Sequence, residues 1–275
     1  MRNDMMLRVR KEESGPVAMF NPGFDIRWDE KELEFTYGLE TFGPPMELRR
    51  LEDIRRSLGD PNAEGPAIPY SIAMDVGKKK DLEDLKRRNL LFGAVIYSKG
   101  HIGKELVRSQ GHIHAKSASC GSSTPEVYEI WSGRAIVFMQ ETAQDDPGRC
   151  FAVYGNPGDV IIVPPGWAHY TANADCSSNM VFGAFCIRDY GFDYGDVRAH
   201  GGLAYFPEIA EGCVQFVKNP AYSAGKVVVK RPRSYKELGI RQGVPIYEQY
   251  ELDPQLYAFV TDPMKYKDVW DDFEP

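Results

Sequence analysis

The stretch GDVIIVPPGWAHYTAN, residues 158–173, sets four unbroken apolar residues between two turn signals. Val160, Ile161, Ile162 and Val163 are all β-branched, which suits a short buried strand and disfavours a helix. Asn156-Pro157-Gly158-Asp159 turns the chain before them and Pro164-Pro165-Gly166 turns it after, so a further strand opens near His169. Outward from this stretch similar units recur, at Leu90–Tyr97 and at 127–131, 135–140, 151–154, 169–172 and 181–187. Ser132-Gly133 and Asp146-Pro147-Gly148 supply further turns. Many short strands at this spacing, with no helical segments between them, predict an all-β fold, a sandwich or barrel of antiparallel strands.

The flanks read differently. Leu48, Leu51, Ile54 and Leu58 recur at helical spacing, so a helix is predicted over 46–58, ended by Gly59-Asp60-Pro61. A shorter helical pattern follows over 81–88. Residues 1–60 are taken as an N-terminal arm and helix, 61–217 as the β-barrel domain and 218–275 as a C-terminal extension. The arm is polar and broken by Gly and Pro, and reads as wrapping the body or a second subunit. The extension holds one strand, 226–230, and too little apolar content for a core of its own.

Thirty-three Lys and Arg stand against 40 Asp and Glu, for a net charge of -7. Such a surface repels polyanions, so no nucleic-acid partner and no anionic membrane is expected. The longest apolar run, Met180–Ile187, is far short of the roughly 20 residues that span a bilayer. No apolar core of a signal peptide is present in the first residues, and a cytoplasmic location is expected. Cys120, Cys150, Cys176, Cys186 and Cys213 are odd in number and widely spaced, as befits reduced thiols.

Chemistry concentrates in a few positions. His112 and His114 flank Ile113, and on a strand residues i and i+2 point to the same face, so the two imidazoles can grip one ion. Glu126-x6-Gly133 follows, then Gly158-x5-Pro164-x-Gly166-x2-His169-x3-Asn173. In these motifs the chain resembles the cupin family, whose fold is an antiparallel β-barrel or jelly roll. The second motif is matched at every fixed position. The first departs twice: Leu106 stands where a Gly is usual, and the spacer AKSASCGSSTP between His114 and Glu126 is longer than usual, which reads as a loose inserted loop. Three imidazoles and a carboxylate from His112, His114, Glu126 and His169 suit one divalent ion per subunit, iron, manganese, zinc or nickel, with a position left open. Glu129 is a rival to Glu126, but it faces the other side of the strand and breaks the spacing to Gly133.

A narrower resemblance runs through Gly111-His112-Ile113-His114-Ala115-Lys116, Glu126-Val127-Tyr128, PPGWAHYTAN at 164–173 and Asp193-Tyr194-Gly195. These segments are similar to the cupin-type glucose-6-phosphate isomerases over about residues 45–222. The resemblance implies a cytoplasmic homodimer of glycolysis and gluconeogenesis that interconverts glucose 6-phosphate and fructose 6-phosphate with a bound divalent metal. Glu126 becomes the candidate base and Tyr128 a candidate proton donor, whether the hydrogen moves by an enediol or as a hydride. Ser109 and Gly111 sit where the family cradles phosphate, with Arg108 or Lys104 adding charge. Phe192 stands where relatives often carry a His, and His200 is the nearest substitute. Two alternatives stay open: a cupin acting on another sugar or sugar phosphate, and a non-catalytic sugar-binding or regulatory cupin.

Overall fold

The computed structural model describes residues 7–8 and 19–275. Twelve strands frame the site: β1 (Glu47–Arg49), β2 (Tyr70–Met74), β3 (Leu90–Tyr97), β4 (Ile113–His114), β5 (Glu126–Ser132), β6 (Ala135–Gln140), β7 (Cys150–Gly155), β8 (Val160–Val163), β9 (Ala168–Asn173), β10 (Met180–Ile187), β11 (Phe192–Asp193) and β12 (Val227–Lys230). One sheet runs β8-β5-β10-β3-β2-β1 and is antiparallel throughout. The other runs β9-β6-β7-β12, with only the β7–β12 pair parallel. The β4–β11 pair forms a separate two-stranded ladder, and an isolated bridge from His112 to His169 ties its first strand to β9. This is the cupin barrel that the motifs implied, with the predicted strands in place.

The apolar runs are explained by burial on both faces of each sheet. Between the sheets lie Tyr128, Ile130, Ile161 and Val163 from one side and Val137, Met139, Phe151 and Val153 from the other. On the outer face of the first sheet, Val127, Trp131, Phe92 and Phe185 meet a second layer. That layer is built from Phe24, Ile26 and Phe35 and from the extension, which contributes Tyr235, Tyr247, Tyr250, Tyr257 and Phe259. The extension thus folds by laying aromatic rings on the barrel. Glu129 ties it down: Oε1 accepts from the Ile246 amide at 2.7 Å and Oε2 from Trp131 Nε1 at 3.0 Å. Burial pushes the Glu129 carboxyl up to about 8, against the two N–H donors that oppose the shift.

The helix predicted over 46–58 is instead β1, a helical turn at Leu51–Ile54 and a 3₁₀ turn at Arg55–Ser57. Residues 47–49 pair with β2, so a non-local ladder overrides the local spacing. Leu48 accordingly lies 40% exposed while Leu51, Ile54 and Leu58 are buried. The second helix appears as Leu82–Arg87. Leu7–Arg8 pairs with Cys213 and Val214 of the same chain, and the rest of the arm before Met19 lies outside the described residues.

Gly133 closes the β5–β6 hairpin with φ +72°, and a Cβ there would sit 2.4 Å from the Asn179 carbonyl oxygen. Gly133→Ala combines left-handed strain with a backbone clash, and is expected to cost about 2–4 kcal/mol of stability. Urea unfolding checks this, and an unchanged midpoint would show that the hairpin relaxes freely.

Candidate metal centre and active site

Backbone pairing assembles the site before any side chain acts. The His112 amide donates to the His169 carbonyl at 3.0 Å and the His169 amide to the His112 carbonyl at 2.9 Å. His114 lies opposite Phe192 in the β4–β11 pair, and Glu126 lies opposite Val163 at the start of β5. Donor atoms of His112, His114, Glu126 and His169 all fall within 4.8 Å of one another. The 115–125 segment, expected to be loose, is held by Asp189. Its carboxylate accepts from Ser117 Oγ at 2.9 Å and the Ser119 amide at 3.0 Å. Serines that look flexible in sequence are here donors to one fixed acid.

The imidazoles are oriented for an ion. His114 Nδ1 lies 2.8 Å from the Thr124 carbonyl and His169 Nδ1 3.2 Å from that of Trp167, so Nδ1 carries the proton in each. Nε2 of His112, His114 and His169 is buried without a hydrogen-bond partner. Glu126 Oε2 faces His114 Nε2 at 3.1 Å and His169 Nε2 at 3.6 Å. Lone pairs confronting one another at such distances require a cation between them, a proton or a metal. Burial would lower His114, but Glu126 beside it lifts it above its usual value. Burial and the two neighbouring imidazoles drive His112 well below its own. A single proton therefore satisfies part of the cluster, whereas a divalent ion fits all four residues.

Burial by itself would raise Glu126; contact with His114 and His169 wins and holds it well below the usual carboxylate range. Tyr128 Oη donates to Glu126 Oε2 at 2.7 Å. Burial, reinforced by that carboxylate, pushes the Tyr128 phenol well above 10, so it stays a donor at neutral pH.

Above the cluster opens a cavity of about 230 Å³. Ser109, Gln110, Thr171, Tyr97 and Tyr128 line it, with Glu47, Arg49, Tyr70 and Tyr194 farther round. Ser109 lines the cavity, and its Oγ accepts from the Thr171 amide at 3.1 Å. Gly111, at φ +88°, joins this segment to His112. Arg108 faces inward and is fully buried, donating to Glu105 at 2.7 Å, to the Ser57 carbonyl at 2.6 Å and to the Ser109 carbonyl at 2.9 Å. Lys104 is exposed and is not among the lining residues. Among the described residues the cavity's one lysine or arginine is Arg49, which the helical reading of 46–58 concealed; read as a strand, Glu47 and Arg49 share a face. Phe192 also lines the cavity, its ring 4.4 Å from that of His112. His200 is engaged elsewhere, with Asp145 at 3.0 Å and stacked on Tyr222.

Among the described residues no helix is long and apolar enough to cross a membrane. A profile of the family "Glucose-6-phosphate isomerase (GPI)" matches residues 62–223. The glucose-6-phosphate isomerase of Thermococcus onnurineus is 29% identical over 183 residues, covering 64% of this chain and 87% of the relative. That of Pyrococcus horikoshii is 31% identical over 182 residues, covering 64% and 87%. That of Pyrococcus furiosus is 28% identical over 187 residues, covering 66% and 89%. The matched segment contains the whole His112, His114, Glu126 and His169 cluster on its barrel, and the chain belongs to the cupin-type glucose-6-phosphate isomerase family.

Proposed function

We propose that this chain interconverts glucose 6-phosphate and fructose 6-phosphate with one divalent ion held by His112, His114, Glu126 and His169. The observation that carries this reading is the convergence of three unpartnered buried imidazole nitrogens and one carboxylate beneath a cavity whose wall carries Arg49. A divalent ion, when bound, offsets the negative charge that develops on the C1 and C2 oxygens of the sugar. Glu126 removes the proton from C2 and returns it to C1, while Tyr128 gives a proton to the C1 oxygen and takes one back from the C2 hydroxyl. Both side chains are on the inward face of β5, so they meet the same end of the substrate.

The phosphate lies at the other end, against Arg49, the Tyr70 and Tyr194 hydroxyls, Ser109 and the backbone at Gly111. Arg198 supports that rim by donating from Nε to Gln110 Oε1 at 3.0 Å, with its guanidinium 4.7 Å over the Tyr194 ring. Arg108 and Lys104 are assigned no contact with it. The same reading takes the protein as a cytoplasmic homodimer.

A coupled assay of fructose 6-phosphate conversion tests the proposal. Stripping with chelator is expected to lower activity by about 100-fold or more, and resupply of manganese, iron, nickel or zinc to restore it. Turnover that survives in protein shown by elemental analysis to be metal-free would sink it.

A further inference from the structure

Glu47 is a cavity-lining acid to which the chemistry above gives no task. It sits two residues from Arg49 on the same face of an edge strand, and its Oε1 pairs with Arg49 Nη1. The two differ in setting: the Arg49 side chain is 23% exposed and that of Glu47 56%. Arg49 is thus anchored in the wall while its partner can swing into solvent. A guanidinium recognises a phosphate best through two parallel N–H donors, and the Glu47 carboxylate already takes one of them.

We propose that Glu47 competes with the substrate's phosphate for Arg49, so that only a strongly anionic group displaces it and opens the rim. This rests on the assignment of Arg49 to the phosphate end. The pair keeps the rim near neutral when the cavity is empty. A dianion entering there exchanges one carboxylate contact for a bidentate one, whereas an unphosphorylated sugar makes no such exchange. Glu47 therefore tempers the affinity for phosphorylated sugars through the binding step.

Calorimetry with inorganic phosphate on the metal-loaded protein tests this independently of turnover. Glu47→Gln keeps the side chain's shape and removes its charge, and is expected to tighten phosphate binding about two- to fivefold, the range of a partly exposed ion pair. Arg49→Met is expected to abolish the binding. In the isomerase assay Glu47→Gln should lower KM for fructose 6-phosphate by a similar factor. Weaker phosphate binding by Glu47→Gln would overturn the proposal and make Glu47 a residue that orients Arg49. Phosphate binding that survives Arg49→Met overturns it as well. Tighter phosphate binding in a protein with no turnover upholds the competition and rejects only the isomerase reading.

Discussion

Glu126→Gln is expected to lower kcat by about 10²–10⁴-fold while leaving a folded protein that melts close to the parent. Glutamine fills the same volume, and the buried pocket around it loses no packing. What it loses is the one carboxylate among four converging residues, while its amide oxygen can still accept from the Tyr128 hydroxyl, 2.7 Å from the native carboxylate. It also loses the negative charge that His114 and His169 stabilise, hence both the proposed base and the carboxylate of the proposed ion site. Two measurements separate these losses. Elemental analysis reports metal per chain, and incorporation of solvent deuterium at C1 or C2 reports proton transfer. A variant that keeps its metal, turns over slowly and exchanges no deuterium where the parent does would place the base at Glu126. A kcat within tenfold of the parent would remove Glu126 from the chemistry.

The largest loss of stability from one substitution is expected at Arg108, because nothing about its setting is negotiable. The side chain is fully buried and the Glu105 side chain is only 6% exposed, with Glu105 also accepting from the Gly59 amide at 2.7 Å. The guanidinium stands 5.1 Å over Tyr170 and 5.8 Å over Phe206. Arg108→Met leaves the buried Glu105 carboxyl short of its partner, and strands the Ser57 and Ser109 carbonyls. About 3–5 kcal/mol should be lost, readable as a fall in the urea midpoint. Lysine should not rescue it, since a point charge cannot reach three acceptors in the guanidinium's plane. Pairing Arg108→Met with Glu105→Gln should recover part of the loss. Where the variant folds, KM for fructose 6-phosphate should stay near the parent value. A large rise in KM without loss of stability would instead make Arg108 a phosphate contact.

The barrel was legible because its strands are buried on both faces and punctuated by turns, which a sequence records as unbroken apolar runs between Gly and Pro. The four converging residues were legible for a related reason: spacing along strands fixes which side chains share a face. Arg49 was not. The spacing of Leu48, Leu51, Ile54 and Leu58 is helical, and only pairing with Tyr70–Met74, more than twenty residues away, makes 47–49 a strand. Arg108 misled in another way. A basic residue near a turn gives no sign of whether its head group turns toward solvent or toward an acid, here Glu105, three residues back. Ser117 and Ser119 likewise read as slack because their common acceptor, Asp189, lies some seventy residues on.

The alternation along Glu126–Trp131 has an evolutionary corollary. Glu126 and Tyr128 point into the barrel, while Val127, Glu129 and Trp131 point to the aromatic layer behind it. One residue inserted early in this strand would turn every later side chain about, sending Glu129 and Trp131 into the sugar's place and Tyr128 into the packed layer. The neighbouring 115–125 segment carries no such parity, because its ends are fixed by His114 and Glu126 and its middle only by hydrogen bonds. Lineages can lengthen that segment one residue at a time and keep the enzyme. The strand beside it admits substitutions but no insertion ahead of Trp131.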